Sequence, residues 1–387
     1  MSSGGCPPQA GEEPPFRFFK FSARFPKRAV CVANGFTGRA LRIQPNAKPT
    51  VTKLRISVVQ YLNTAPLIRG FTHGPLRALA GKRYDLSFTV PSQCAEALRT
   101  GAADIAIIPA IEYQRIVSQG IPLTILPDLA IASKESVRSL LLISKVPIRQ
   151  ARRIALDPSS RSTQALTKIL AAKRWQISPE FFEPPPPAIA NENGADHSAG
   201  NGANADTGIA AMFANADAAL IIGDAALRIA IAAEARGVKP GPDGEWLTAG
   251  ATIGAASLSQ LHIYDIVKEW WHLTEKPAVL AVWAARPYPA NPTLIKDIPV
   301  HDVAADFQAS RDFGLTQIRQ IAAEAAPQMH LPEKELRLYL EKNIDYSLDA
   351  ENLRGLQRFF QESHSQGLLP ALQPINIAGS IATTAPL

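Results

Sequence analysis

VPSQCAEALRTGAADIAIIPAIEY, residues 90–113, packs a helix, a strand and the start of a second helix into one short stretch. Pro91–Arg99 carries the helical pattern and closes on Thr100-Gly101, a pairing that ends helices by a left-handed cap. Asp104–Ile108 turns apolar after its first residue, which suits a strand buried on both faces. Pro109 stops that strand, and Ala110–Val117 resumes the helical pattern. Strands alternating with helices of about ten residues indicate βαβ units on a parallel sheet.

The pattern extends both ways. Upstream, Leu54–Val59 is a β-rich run followed by Asn63-Thr64-Ala65-Pro66, a strand-to-helix turn, and Tyr84–Val90 is the next strand. Downstream, a second α/β unit starts after Leu140–Ser144: strand Arg153–Leu156, polar turn Asp157–Ser162, helix Thr163–Arg174, strand Ala216–Ile222 and helix Ala225–Ala235. The chain hands back through an amphipathic helix, Tyr264–Leu273, and the strand Ala278–Trp283, then ends in helices over Ser310–Ala326, Glu333–Asn343 and Asp349–His364. Four parts follow: a basic extension over residues 1–53 that is expected to be disordered or spurious, a first lobe over 54–140, a second over 141–275, and a return with C-terminal helices over 276–387. Two lobes joined by two crossings enclose a cleft, and ligands of open parallel sheets bind where strands hand over to helices.

Composition narrows the function. The 387 residues are 46% hydrophobic and 19% charged, as in ordinary globular proteins, and no apolar run nears the length of a membrane helix. The net charge of +6 misleads, since residues 1–53 hold nine Lys/Arg and two acids and leave the body slightly negative. That distribution argues against a nucleic-acid-binding body. The extension lacks the continuous apolar segment of a secretory signal, and a cytoplasmic protein is expected. Three scattered cysteines (Cys6, Cys31, Cys94) form no framework, and the seven histidines show no metal-ligand spacing. No glycine-rich phosphate loop supports a nucleotide cofactor, and no GxSxG elbow marks a serine hydrolase. The tract 184–208, four prolines and then Asn, Gly, Ala and Asp, is expected to be a flexible insertion; its Asp196, His197 and Asp206 are solvated polar residues rather than ligands.

Three turns carry the chemistry. Gln60–Pro66 offers Asn63 and Thr64; Asp157–Thr163 offers Ser159, Ser160, Arg161, Ser162 and Thr163; Ile221–Ala225 offers Gly223 and Asp224. The crossing segment Glu135–Leu142 adds Ser136 and Ser139. Helix capping explains each residue singly. Together, hydroxyls and an Arg at helix starts make a site for a small carboxylate or phosphate. Glu96, Glu112 and Glu234 fall within helices, where a solvated face is expected, and of Trp270 and Trp271 at least one should be core.

ISVVQYLNTAPLIRG, the 90–113 stretch, IALDPSSRSTQAL, ADAALIIGDAAL and DIVKEWWHLTEKPAVLAVWAAR, in this order, resemble the chorismate dehydratase family of the futalosine route to menaquinone, over about Leu54–Arg286. The resemblance implies a two-lobed α/β fold of the type II periplasmic-binding-protein kind with a central cleft and no metal or organic cofactor. It implies chorismate as substrate, with no nucleic-acid or membrane partner, and is compatible with a homo-oligomer. The family's catalytic asparagine falls on Asn63 and its serine on Ser139, with Ser136 an alternative. Its substrate-binding residues map to Thr64, Ser160, Arg161, Ser162, Thr163, Gly223 and Asp224; Ser-Thr follows Arg161 where the family has Thr-Ser. Asp224 reads first as a helix cap. The mapped turns contain no His or Glu, so the substrate's own side-chain carboxylate is the expected proton acceptor. The competing expectations are a binding protein for an aromatic carboxylate and the sister dihydroxynaphthoate synthase.

Overall fold

The computed structural model describes residues 53–184, 212–237, 245–249, 252–253, 256–257, 260–287 and 293–379. The basic extension up to residue 52 and the insertion from residue 185, with Asp196, His197 and Asp206, lie outside the described residues.

Lobe 1 is built on β1 (Leu54–Val59), β2 (Tyr84–Thr89), β3 (Ile105–Pro109), β4 (Thr124–Ser133) and a strand that returns from far along the chain, β13 (Ala278–Ala285). Their order in the sheet is β2-β1-β3-β13-β4. Lobe 2 carries β5 (Leu140–Ser144), β6 (Arg153–Ala155), β7 (Glu180–Phe182), β8 (Ala218–Ile222), β9 (Glu245–Ala249) and β12 (Gln260–Asp265), ordered β7-β6-β8-β5-β12-β9. Two small hairpins pair Thr252–Ile253 with Ala256–Ser257 (β10, β11) and Leu294–Ile295 with Ile298–Pro299 (β14, β15).

The parallel sheet expected from sequence holds for only part of each lobe. β1 pairs parallel with β2 and β3, and β6 pairs parallel with β7 and β8. β13 runs antiparallel to both β3 and β4, and β5 runs antiparallel to β8 and β12. The reason lies in the crossings. A parallel pair needs a covering connection of a dozen residues or more, whereas β5 and β13 enter their sheets straight from the other lobe.

Strands without alternation are buried on both faces. On β5, Leu140 and Leu142 join the main core while Leu141 and Ile143 join a second core against α6 (Gly223–Ala235). β8 divides likewise, with Leu220 and Ile222 on one side and Ala219 and Ile221 on the other. The apolar run follows from having two faces to cover.

The helix that follows Asn63 is held in place by close packing. α1 (Ala65–Thr72) lies along α8 (Val300–Thr316), and a Cβ added to Gly314 would stand 1.9 Å from the Pro66 carbonyl oxygen. No residue but glycine fits there. Phe307 stacks edge-on with Phe71 at 5.0 Å and with Trp283 at 4.7 Å, tying both helices to β13. Buried Arg69 forks onto Glu324 of α9 (Ile318–Met329) at 2.8 and 2.7 Å. The single helix expected over Ser310–Ala326 is thus two, broken at Gln317.

The remaining helices fall near their expected places, except that the sequence pattern shows none over Arg77–Arg83 and the helix expected from Tyr264 starts at Ile266, since Tyr264 and Asp265 close β12. α2 (Arg77–Arg83), α3 (Pro91–Thr100), α4 (Ala110–Val117), α5 (Arg161–Leu170), α7 (Ile266–Thr274), α10 (Glu333–Leu338) and α11 (Ala350–Ser365) complete the helices. Gly101 takes the left-handed cap and Asp349 caps α11, accepting from Asn352 N–H at 2.7 Å. Trp270 is fully buried and Trp271 partly exposed. Among the described residues no helix is long and apolar enough to cross a membrane.

Candidate active site

β1, β6 and β8 all end at the cleft, and the turns beyond them meet there with the first crossing segment. After Val59 the chain is pinned by the Gln60 N–H on the Thr89 carbonyl at 3.0 Å, then winds one 3-10 turn, Leu62–Thr64, before Pro66 opens α1. Thr64 is buried and its hydroxyl donates to Asn63 Oδ1 at 3.4 Å; Asn63 stays half-exposed.

Ser139 arrives from the opposite direction. The crossing segment hangs on Asp265, whose carboxylate accepts from Val137 N–H at 2.9 Å and Arg138 N–H at 2.7 Å. The same carboxylate caps α7 through Val267 and Lys268 N–H. Burial pushes Asp265 up to about 6 against the pull of those N–H groups. Arg138 turns through a left-handed φ of 61°, and Ser139 follows, buried, its carbonyl accepting from Gly223 N–H at 2.8 Å. The Ser139 hydroxyl accepts from Tyr339 at 2.9 Å, and the Asn63 side chain sits close enough to the same hydroxyl to ease its ionisation. Ser136 instead turns its carbonyl to the Ser133 hydroxyl and the Asn343 amide. Of the two serines, Ser139 is the one that joins Asn63.

The Gly223-Asp224 turn closes the third side. Gly223 has φ 64°, and a Cβ there would stand 3.2 Å from the Tyr61 ring. Asp224 does not cap its own helix, whose N-cap Ile222 makes no side-chain bond. Burial pushes its carboxyl up to about 6, opposed by the nearby Leu62 N–H and by Arg228. Gly223→Ala should combine backbone strain of about 1–2 kcal/mol with pressure on Tyr61. We expect a lowered melting temperature and, in the protein that stays folded, lost turnover; an alanine variant with wild-type melting and rate would show that the turn does not need its glycine.

The DPSSRST turn departs furthest from expectation. Asp157 folds the turn by accepting from Ser159 N–H at 2.8 Å and from its hydroxyl at 2.6 Å, and burial raises its pKa. Ser159 also meets Tyr61 through its side chain and Ser92 N–H through its carbonyl, at 3.1 Å. Arg161 does not face an empty cradle: it donates to Glu112 across the cleft at 3.0 Å. Ser162 accepts from Ile111 N–H at 3.2 Å. These two residues clasp the lobes, while the buried hydroxyls of Ser160 and Thr163 bond each other at 2.7 Å.

Two further readings are corrected. Glu112 is 3% exposed and bonded to Arg115 and Arg161, because an acid shared by two guanidiniums can be buried. Glu234 is partly buried against Arg138, which also holds Glu335. Glu96 is exposed beside Arg99. Sequence reasoning missed Tyr339, whose helical spacing is that of any core aromatic, and Tyr61, although it stands beside Leu62 in the turn already singled out. Among the described residues no three His, Cys, Asp or Glu side chains gather as metal ligands.

The two lobes and their cleft are those of the periplasmic-binding-protein fold. The chain resembles a protein from Archaeoglobus fulgidus with a TM-score of 0.54 at 14% identity, over 82% of this chain and 98% of that one. It resembles the periplasmic aliphatic sulphonate binding protein SsuA from Escherichia coli at 0.51 and 17% identity, over 82% and 94%. A Candida albicans gene product described as exhibiting the generic periplasmic binding protein structural fold matches at 0.50 and 10%, over 83% and 92%. At such identities the likeness carries the fold alone.

The chain belongs to the menaquinone biosynthesis family, which matches residues 54–200 and 203–365. The chorismate dehydratase of Thermus thermophilus is 25% identical over 304 residues, 79% of this chain and 93% of that protein.

Proposed function

We propose that this chain is a hydro-lyase that removes water from chorismate to give 3-[(1-carboxyvinyl)oxy]benzoate, by the futalosine route to menaquinone. The observation that carries the reading is the meeting of Asn63, on the turn after β1, and Ser139, on the crossing segment, around one buried tyrosine hydroxyl. The family and the dehydratase relative support it.

The reaction breaks the C–H bond at the ring carbon bearing the enolpyruvyl ether and the C–O bond of the neighbouring hydroxyl. The proton and hydroxide leave together as water, and the electron pair completes an aromatic ring. Aromatisation supplies the driving force, so the protein has to hold a dianion in the reactive conformer and stabilise charge as it moves. The polar groups gathered here suit that task. Asn63 and Ser139 are hydrogen-bond donors rather than strong bases, and Ser160 and Thr163 add hydroxyls at the start of α5, where the helix dipole favours a carboxylate. Asp224 lies beside the Leu62 N–H, which leaves the substrate's side-chain carboxylate as the proton acceptor.

Asp224 gives this reading a pH signature. Its carboxyl titrates at about 6 in the free protein, and a dianion bound beside it favours the protonated form further. Binding then takes up a proton above that pH, so affinity should weaken by up to about tenfold per pH unit above 6. Chorismate KM measured from pH 5.5 to 8 should rise accordingly in the wild type and stay flat in Asp224→Asn; a flat wild-type profile would place Asp224 outside the substrate's field.

The decisive test incubates the purified protein with chorismate and follows the mixture by chromatography and mass spectrometry. Loss of one water to a stable aromatic product supports the dehydratase. Chorismate bound but unchanged would make the chain a binding protein, and chorismate neither bound nor consumed would favour the sister synthase.

A further inference from the structure

Tyr339 lies 200 residues from Ser139 in sequence and donates to it at 2.9 Å, within a π-helical turn, Tyr339–Asn343, that continues α10. Its side chain is 2% exposed, so its hydroxyl has only the partners the protein gives it. On one side is Ser139 Oγ, which accepts its proton. On the other is the Asn63 side chain. The tyrosine's one proton goes to Ser139, so towards Asn63 its oxygen can only accept, and the Asn63 amide N–H is the group that suits it. The donors then run in one direction: Thr64 hydroxyl to Asn63 Oδ1, Asn63 Nδ2 to Tyr339 Oη, Tyr339 hydroxyl to Ser139 Oγ. Because Ser139 Oγ receives a proton from inside, its own proton is turned outward.

We propose that Tyr339 is a positioning residue that fixes the rotamer of Asn63 and the proton direction of Ser139, so that both present donors to the substrate at once. The inference rests on the dehydratase reading. It adds a division of labour: Asn63 and Ser139 touch the substrate, and Tyr339 acts through them. A hydroxyl free to rotate would have to be oriented during the reaction, and a preset one costs no reorganisation. Neighbouring Tyr346 supplies the control, since its buried hydroxyl has no hydrogen-bond partner among the described residues.

The test compares wild type, Tyr339→Phe, Tyr346→Phe, Ser139→Ala and the Ser139→Ala/Tyr339→Phe double variant. Steady-state turnover of chorismate is measured beside calorimetric binding of the stable product and thermal melting. Tyr339→Phe should lower kcat by about 10–100-fold with product affinity changed by less than about threefold. Tyr346→Phe should match wild type. The double variant should lose clearly less than the product of the two single losses, because the part of the tyrosine's effect that runs through the serine is already gone in Ser139→Ala. Wild-type turnover in Tyr339→Phe, additive losses in the double variant, or equal losses from the two phenylalanine variants would each overturn the positioning role and leave the dehydratase reading intact. A wild-type protein inert towards chorismate would overturn that reading, and the role with it.

Discussion

Asn63→Ala should leave a folded protein whose kcat on chorismate is about 10²–10³-fold lower, the usual cost of deleting one preorganised donor at a developing charge. The fold does not depend on this side chain. Asn63 is half-exposed on the Leu62–Thr64 turn, and that turn is fixed by backbone bonds, by Pro66 against Gly314 and by Asp224 beside Leu62. The substitution removes a donor and leaves the Thr64 and Tyr339 hydroxyls without a shared partner. Melting should therefore shift by only a few degrees while turnover collapses. The check is kcat by product formation alongside a melting curve for the same preparation. Undiminished turnover would remove Asn63 from the chemistry, and a collapse of folding would make its role structural.

Asp265→Ala should be the most damaging substitution for stability. One carboxylate accepts from Val137, Arg138, Val267 and Lys268 N–H at 2.7–3.1 Å, in a site 3% exposed. Alanine leaves four donors in the interior, each losing on the order of 1 kcal/mol. The sum, about 3–5 kcal/mol, should lower Tm by at least about 6 °C in a protein of this size. The loss also frees the segment that aims Ser139, so even the folded fraction should turn over slowly. Differential scanning calorimetry with chorismate assays below the transition checks both; an unchanged Tm would show that water replaces the carboxylate without cost.

The legible and illegible parts of this chain divide by the range of the interactions involved. Gln60–Pro66 is readable because a strand end, small polar residues and a proline at a helix start lie within seven positions. Gly101 and the Asp349 cap are readable for the same reason. Strand direction is not: β5 and β13 look like any apolar run, and their antiparallel sense comes from the crossings before them. Arg161 reads as a residue with a ligand to hold, since nothing in DPSSRST reveals that Glu112, on another helix, lies opposite. Tyr339 is out of reach altogether, because its importance is a contact over 200 residues. The tract 184–208 bears on none of these, since all but its first residue lies outside the described residues.

The place of β13 has a consequence for how the molecule is made. This strand fills the gap between β3 and β4, yet it leaves the ribosome only after all of the second lobe. Until then the nascent chain carries two bare strand edges that nothing earlier in the sequence can pair. Vectorial synthesis therefore cannot finish the first lobe first. The second lobe is available to form while the first is still open, and pairings over such sequence separations are of the kind that form slowly. The strand that links the lobes in space is also the one that sets their order in time.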